Sequence, residues 1–395
     1  MIAVLRQTRT FDPAVRLLFV NQLTINLGFY MLMPYLAAHL SDGLGMAAWS
    51  VGLVLGVRNL SQQGMFLAGG ALADRLGYKP LIVAGCALRT AGFGALAVAQ
   101  SLPVLIAASA ATGLAGALFN PAVRAYLAAG AGERRVEAFA VFNAYYQAGI
   151  LLGPLVGIAL TGVSFRLTCV VAALLFAVLT LVQLRHLPDR AGGAAGAGRE
   201  RGQFRTVLAN RPFWLFALAM TGSYVLSFQV YLALPLAAGS TLVTTALFVV
   251  SALVALAGQL RITEWCKRYW PRERCLVAGL ALMGGAFLLP VAPGGVAGLL
   301  LCAAVLAVAN AVLYPYEMDT VVALSGDRWV ATHYGLYNTV CGIGITLGNL
   351  GTGALLDVTG WSPVPWLVLC AVGLACAGAV GALLRGGRLV PAAAG

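Results

Sequence analysis

The feature that most constrains this chain is a series of apolar stretches, each long enough to cross a lipid bilayer. A transmembrane helix needs ~20 predominantly apolar residues, and twelve such windows follow one another in the 395 residues. They lie near 15–38, 48–72, 80–99, 102–126, 138–160, 165–185, 212–237, 241–262, 275–291, 295–320, 333–356 and 364–385. Only 10% of the residues are charged, against about 25% in soluble proteins. The sequence therefore predicts an all-α membrane protein with twelve transmembrane helices.

The connections between these windows alternate in charge. Nearly all of the 25 lysines and arginines lie in the N-terminus, the even-numbered connections and the C-terminus. The odd-numbered connections hold Arg166, and Arg58 and Arg89 fall inside predicted helices. Because positive residues stay on the cytoplasmic side, we expect both termini to be cytoplasmic. Topology and contact with anionic lipid then account for the net charge of +12, and nucleic acid is not expected as a partner.

The segment 187–211 divides the chain. It is polar and basic, contains the run AGGAAGAG, and is predicted to be a flexible cytoplasmic linker between an N-terminal half, 1–186, and a C-terminal half, 212–395. Three motifs recur between the halves at similar spacing: Met33–Ala38 with Leu234–Gly239, Phe119–Pro121 with Leu313–Pro315, and Asn143 plus Gly153 with Asn338 plus Gly348. The pattern predicts two pseudo-symmetric six-helix bundles.

The stretch Gly69–Pro80, GGALADRLGYKP, separates the second and third windows and is expected to form a tight polar turn. It resembles the loop between helices 2 and 3 of the major facilitator superfamily, whose pattern is G-x3-D-R-x-G-x-K/R. The matching residues are Gly70, Asp74, Arg75, Gly77 and Lys79.

The resemblance spans the whole chain and is closest to the bacterial drug:proton antiporters. It implies a transporter of the bacterial inner membrane, with no enzymatic activity, cofactor or metal, whose halves rock around a midplane site. In such a protein we expect Asp74 to interact with the positive N-terminal end of helix 11. Arg75 is expected to pair with Glu137 or Glu133.

A second motif lies in the fifth window, where Gly149, Gly153, Pro154 and Gly157 follow the pattern G-x3-G-P-x-x-G. It resembles the helix 5 motif of exporters within the superfamily. Small residues allow close helix contact and proline kinks a helix, so we expect this face to help helix 5 pack against helix 8. The alternative is that these are ordinary packing glycines.

Few charges lie deep within the windows. Arg58 is predicted near mid-membrane, where it either binds an anionic group or serves as a structural strut. Glu317 and Asp319 are the acids predicted inside helix 10, and they either exchange protons or form a gate salt bridge, for instance with Arg124. The candidate coupling residues are therefore Arg58, Arg124, Glu317 and Asp319.

Polar and aromatic residues at depth are expected to line a cavity formed chiefly by helices 1, 4, 7 and 10. These candidate cavity residues are Asn26, Tyr30, Arg58, Asn143, Tyr146, Gln147, Tyr224, Gln229, Tyr231, Tyr337 and Asn338. Amides and phenols on an apolar wall suit an amphipathic or aromatic ligand. Hydrogen bonding between helices is the alternative role for each of them.

With these patterns, the resemblance implies a secondary active transporter, expected to be a monomer, that exports lipophilic or amphipathic small molecules in exchange for protons. Two alternatives remain at this stage. One is a dedicated exporter of an endogenous natural product or siderophore. The other is a transport-inactive sensor on the same scaffold.

Overall fold

The structure is a computed structural model and describes residues 6–131, 134–189, 207–292, 294–325, 330–360 and 362–389. Within these ranges the chain is helical and contains no β-strand. Helix occupies each of the twelve predicted windows. Nine helical stretches of the described chain are both long and apolar enough to cross a membrane. The all-α membrane fold is therefore confirmed, and the helix positions are consistent with twelve spans.

The helices are numbered by predicted span, with a and b for the two parts of a broken span. They are α1a (Pro13–Tyr30), α1b (Met33–Ala38), α2a (Ala48–Gly64), α2b (Phe66–Leu76), α3 (Tyr78–Leu96), α4 (Leu102–Ala131), α5 (Arg135–Thr161), α6 (Phe165–His186), α7a (Arg211–Ser227), α7b (Ala233–Ala238), α8 (Thr241–Tyr269), α9 (Arg272–Ala286), α10 (Val296–Ser325), α11 (Val330–Thr359) and α12 (Val364–Arg385).

Local chemistry explains several of these boundaries. The side chain of Ser164 caps α6 by accepting a hydrogen bond from the Leu167 amide at 3.1 Å. Asn210 caps α7a in the same way, accepting from the Phe213 amide at 3.1 Å. Such caps satisfy amide donors that lack a partner within the helix.

The predicted turn at 69–80 is much shorter than expected. Helix α2b continues to Leu76, and α3 begins at Tyr78. Gly77 alone makes the turn, with φ of +89°, a backbone conformation that a residue with a Cβ rarely adopts. Most of the polar motif is therefore helical, and Gly77 is the position at which the turn requires a glycine.

The chain divides into two compact units. One comprises Met1–His39 and Val57–Ala195, and the other comprises Leu40–Gly56 and Gly196–Gly395. The first half of α2a is therefore grouped with helices from the C-terminal part of the chain. The linker prediction falls largely on residues 190–206, which lie outside the described ranges.

The two units pair their helices in the same way. In the first unit α1 packs on α5, and α3 packs on both α4 and α6; in the second, α7 packs on α11, and α9 packs on both α10 and α12. The internal repeat extends to single positions. A Cβ on Gly85 would lie 2.9 Å from the Phe119 Cβ, and one on Gly279 would lie 2.8 Å from the Leu313 Cβ.

Candidate functional site

A buried carboxylate lies at the centre of a hydroxyl network in the second unit. Glu317 on α10 is 2% exposed. One of its oxygens, Oε1, accepts hydrogen bonds from the hydroxyls of Tyr337 on α11 and of Ser223 on α7a, the latter at 3.4 Å. Three helices therefore converge on one carboxyl group.

Aromatic rings surround this network. The Tyr337 ring is fully buried, stacks on Phe216 at 6.3 Å between ring centroids, and meets Tyr224 edge-on at 6.1 Å. One turn further along α7a, the hydroxyl of Ser227 donates to Oδ1 of Asn310 on α10 at 3.2 Å. The site thus combines one ionisable carboxyl, several hydroxyl groups and apolar aromatic walls.

This arrangement can exchange a proton. An ionised carboxylate only accepts hydrogen bonds, whereas a protonated carboxyl also donates one. Tyrosine and serine hydroxyls can rotate to donate in the first case and accept in the second. Since a buried charge is costly without such partners, a change of protonation at Glu317 would rearrange the contacts among α7a, α10 and α11.

Asp319 lies only two residues from Glu317 but in a different environment. Its side chain is 65% exposed, and Oδ2 pairs with Nη1 of Arg272 at 3.5 Å. The same arginine donates from Nε to the Thr320 hydroxyl at 3.0 Å. Asp319 is therefore exposed and ion-paired, whereas Glu317 is buried; the expected proton exchange or gate role of Asp319 stays a prediction.

The first unit buries a cation instead. Arg58 is 7% exposed and donates to the amide oxygens of its helical neighbours, Asn59 at 2.8 Å and Gln62 at 2.9 Å. Its guanidinium lies 4.4 Å from the ring centre of Phe29 on α1a, close enough for a cation–π interaction. Gly113 of α4 packs directly on the Arg58 carbonyl, which fixes the backbone of this turn.

Two further arginines of the first unit, Arg89 and Arg124, differ from Arg58. Arg89 on α3 is buried, with its guanidinium 5.5 Å from the ring centre of Phe176 on α6. A structural role fits this position, and a lipid-facing one does not. Arg124 on α4 is exposed.

The glycine face of α5 packs on α1. A Cβ on Gly149 would lie 2.6 Å from the Asn26 Cβ, and one on Gly153 would lie 2.5 Å from the Tyr30 Cβ. Tyr35 donates its hydroxyl to the Pro154 carbonyl at 2.7 Å. Within the first unit these glycines therefore pack on α1, and the expected contact of helix 5 with helix 8 stays a prediction.

The second unit has the same arrangement. A Cβ on Gly348 of α11 would lie 2.5 Å from Val225 Cγ1 of α7a, and Gly344 packs on the side chain of Thr221. Glycines at these two equivalent positions therefore allow close helix packing in both units. Close helix contact is common to the exporter and packing interpretations of the helix 5 motif, so both remain open.

Several predicted cavity residues connect helices. The Asn26 amide donates to the Tyr146 carbonyl at 3.3 Å, which joins α1a to α5. Gln229 is fully buried and donates to the Val225 carbonyl at 3.0 Å and to Oδ1 of Asn349 at 3.4 Å.

The remaining candidates are less enclosed. Tyr231 packs between the rings of Phe228 and Phe248, at 5.6 and 5.3 Å. Gln147 and Asn338 are half-buried, and Asn143 is exposed. Of all these predicted residues, Tyr224 and Tyr337 are the two that meet at Glu317.

Comparison with known proteins identifies the family. The model of the Major Facilitator Superfamily matches residues 18–349. The chain belongs to the major facilitator superfamily. It is 56% identical over 369 residues to an uncharacterized MFS-type transporter of Mycobacterium tuberculosis, covering 88% of this chain and 87% of the relative. It is also 31% identical over 364 residues to the multidrug resistance protein MdtH of Klebsiella pneumoniae, covering 90% of each.

Solved structures of transporters share the fold. A peptide transporter POT in complex with sulfate superposes with a TM-score of 0.79 at 16% identity, covering 96% of each chain. The nucleoside transporter NupG gives 0.78 at 18% identity, covering 92% of this chain and 99% of the other. Its membership of the major facilitator superfamily makes the protein a multi-pass membrane transporter rather than an enzyme.

In this superfamily member, the loop motif after helix 2 supplies an ion pair that its sequence pattern did not indicate. Nζ of Lys79 lies 3.6 Å from Oδ1 of Asp189, just after α6. Gly70 lies in α2b with Pro121 of α4 nearby, and Arg75 is exposed. The side chains of Asp74 and Glu137, and all of Glu133, lie outside the described part of the chain, so the expected gate contacts remain predictions.

Sequence reasoning did not identify three residues that contact the site residues described above, Ser223, Ser227 and Phe29. Ser223 and Ser227 were overlooked because lone serines are common in membrane helices. Their spacing of four residues, which places both on one helical face, was the available signal. Phe29 was overlooked because an aromatic residue in a transmembrane helix carries no specific signal.

Proposed function

We propose that the protein is a secondary active exporter of lipophilic or amphipathic small molecules, driven by proton entry through alternating access. The observation that carries this proposal is the burial of Glu317 within a hydroxyl network shared by α7a, α10 and α11. An ionisable residue inside a transmembrane segment is by default a functional site.

Proton binding at Glu317 supplies a way to couple the gradient to movement. When the carboxyl is ionised, Tyr337 and Ser223 both donate to the same oxygen. Protonation places a donor on the carboxyl, and this donor needs an acceptor. A proton on Oε1 would displace one of the two donated bonds, whereas a proton on Oε2 would need a new acceptor; either change alters the relative stability of two packings.

The surroundings of this carboxyl support the proposed substrate class. The rings of Phe216, Tyr224 and Tyr337 pack around it, and apolar surroundings with one or two polar contacts would suit an apolar ligand. The 31% identity to a multidrug resistance protein favours export of drug-like molecules.

The positive-inside pattern supports cytoplasmic termini in the bacterial inner membrane, and we propose that the protein acts there as a monomer. Asp74 would close the cytoplasmic side by interacting with the N-terminal end of helix 11, and Arg75 by pairing with Glu137 or Glu133. Asp74→Asn is then expected to reduce transport without affecting membrane insertion.

The test is transport by purified protein in proteoliposomes with an imposed pH gradient. The panel contains lipophilic cations, neutral amphipathic drugs, siderophores and other polar natural products, each assayed with and without the gradient. We expect several lipophilic compounds to accumulate against their gradient only when the pH gradient is present. Transport confined to one polar natural product would favour a dedicated exporter, and movement of no compound together with no proton flux would contradict the proposal.

A further inference from the structure

The N-terminal end of α2a is capped by a side chain from α11. Asp357 accepts hydrogen bonds from the backbone amides of Ala48, at 2.8 Å to Oδ1, and of Trp49, at 2.7 Å to Oδ2. Both carboxylate oxygens are used. In the chain, Asp357 follows Ala48 by 309 positions and Trp49 by 308 positions.

The two helices also approach closely beside this cap. Gly52 packs on the Asn349 carbonyl, a Cβ on Gly56 would lie 3.0 Å from the Thr346 Cα, and one on Gly353 would lie 2.7 Å from the Ala48 carbonyl carbon. The Thr346 hydroxyl donates to the Gly56 carbonyl at 2.9 Å. We call this contact of Ala48, Trp49, Gly52 and Gly56 with Thr346, Asn349, Gly353 and Asp357 the α2a–α11 clasp.

The hydrogen bonds of Asp357 are expected to contribute most to the stability of the clasp. The first amides of a helix have no partner within the helix, and they carry the positive end of the helix dipole. A carboxylate that accepts from two of them makes charge-assisted hydrogen bonds, which are roughly twice as strong as neutral ones. The residue before α2a is Ala47, which has no side-chain acceptor, so Asp357 provides this cap from another helix.

We propose that Asp357 is a positioning residue of the transport cycle: it holds the N-terminal end of α2 on α11 in one state and releases it in the other. The inference rests on the alternating access of the proposed function. With both termini in the cytoplasm, as proposed, α2 begins and α11 ends on the outer side, so the Asp357 cap would lie there.

The proposed arrangement is reciprocal. Asp74 near the C-terminal end of α2 is expected to face the N-terminal end of α11, and Asp357 near the C-terminal end of α11 caps α2. Each helix would thus carry the aspartate for the other's N-terminus, one on each side of the membrane. A transporter that alternates between two openings forms one contact as it loses the other.

Hydrogen–deuterium exchange of the full chain in lipid nanodiscs, with neither substrate nor pH gradient, tests this proposal. The variants are Asp357→Ala, Asp357→Asn, which retains one acceptor oxygen, and Asp42→Ala as the control. Asp42 is exposed and lies between α1b and α2a, on the same predicted side as Asp357. Because no substrate is needed, a failure of the exporter proposal leaves this result interpretable.

For Asp357→Ala we expect about tenfold faster exchange at the first turn of α2a, the usual scale of a lost N-cap. We also expect slower exchange at the α2b–α3 junction, because the population shifts towards the state closed on that side. Asp357→Asn should lie between Asp357→Ala and the wild type, and Asp42→Ala should match the wild type. Faster exchange at α2a without slower exchange at the opposite end would show a purely local cap and overturn the proposal, as would no change at all.

A steric variant tests the clasp without removing the carboxylate. Gly353→Ala places a methyl against the backbone of Ala48 and Trp49, whereas Gly351→Ala on the same helix meets nothing within 4 Å. We expect Gly353→Ala to reproduce both exchange changes and Gly351→Ala to produce neither. Equal behaviour of these two variants would contradict the clasp as a gate.

Discussion

The two units bury opposite charges in different kinds of environment. In the first, the Arg58 guanidinium is held by the amide oxygens of Asn59 and Gln62 and by the ring of Phe29. In the second, the Glu317 carboxyl is held by hydroxyls from Ser223 and Tyr337. Both groups are almost inaccessible, and the hydroxyls around the second can reverse their hydrogen bonds.

This difference assigns different roles to the halves of the repeat. A guanidinium keeps its proton in proteins and has no acceptor, so Arg58 is a fixed positive charge. A carboxyl can gain or lose a proton, and its hydroxyl partners can follow. The repeat therefore preserves helix pairing and glycine packing in both units, while the proposed chemistry is confined to one of them.

The largest effect is expected from Glu317→Gln, which keeps the size and the buried position of the side chain but removes proton exchange. Gradient-driven transport should fall about 100-fold, equivalent to about 2.7 kcal/mol. Substrate binding should remain, and so should folding. The measurement is proteoliposome transport at several imposed pH gradients, with binding measured in parallel. If this variant still accumulated substrate fully under the pH gradient, Glu317 would not be the proton site, and the proposed difference in chemistry between the units would be contradicted.

Arg58→Ala comes next. If the fixed charge contacts substrate, transport should fall about tenfold with little change in thermal stability, a loss of about 1.4 kcal/mol. If Arg58 is only a strut, its loss leaves buried amide oxygens unsatisfied at about 1–3 kcal/mol, so the Tm should fall while transport by the folded protein persists. Transport and Tm are measured on the same preparation. Arg89→Ala is the matched control, because Arg89 is also buried beside a ring.

Tyr337→Phe removes one hydrogen bond from the carboxyl without changing the ring that stacks on Phe216. A hydrogen bond to a charged group contributes about 1.5–3 kcal/mol, and Ser223 remains as a donor. We expect a fall in coupled transport of about tenfold or less, smaller than that of Glu317→Gln. A fall as large as that of Glu317→Gln would mean that the tyrosine itself carries the proton.

The shared packing of the repeat can be tested with glycine variants. Gly153→Ala and Gly348→Ala each place a methyl 2.5 Å from a neighbouring side chain, in α1a and α7a respectively. Overpacking typically costs about 1–3 kcal/mol, so both should lower the Tm by similar amounts. Gly94→Ala, which meets nothing within 4 Å, is the control. If only one of the two lowers the Tm, the units do not depend equally on this contact.

Hydrophobic length and charge alternation were sufficient to predict the fold, because a bilayer permits few solutions other than closed bundles of helices. The internal repeat was also predictable, since Pro121 and Pro315 occupy equivalent positions inside α4 and α10. The partner of the α5 glycine face was not, because a glycine motif indicates close packing without specifying which helix approaches. Asp357 was missed for a related reason. Its partners are the backbone amides of Ala48 and Trp49 at the start of α2a, and the sequence does not indicate which distant side chain reaches them.

Sequence reasoning did not separate Glu317 from Asp319, although a helix turns by about 200° between positions i and i+2 and places the two side chains on different faces. Asp319 is exposed and pairs with Arg272, and exposed pairs typically contribute about 0–1 kcal/mol. We therefore expect Asp319→Asn to change gradient-driven transport by about twofold or less, measured beside Glu317→Gln at the same expression level. Loss of coupling in Asp319→Asn with coupling intact in Glu317→Gln would move the proton site to the exposed acid, and proton exchange would then no longer distinguish the buried Glu317 from the buried Arg58.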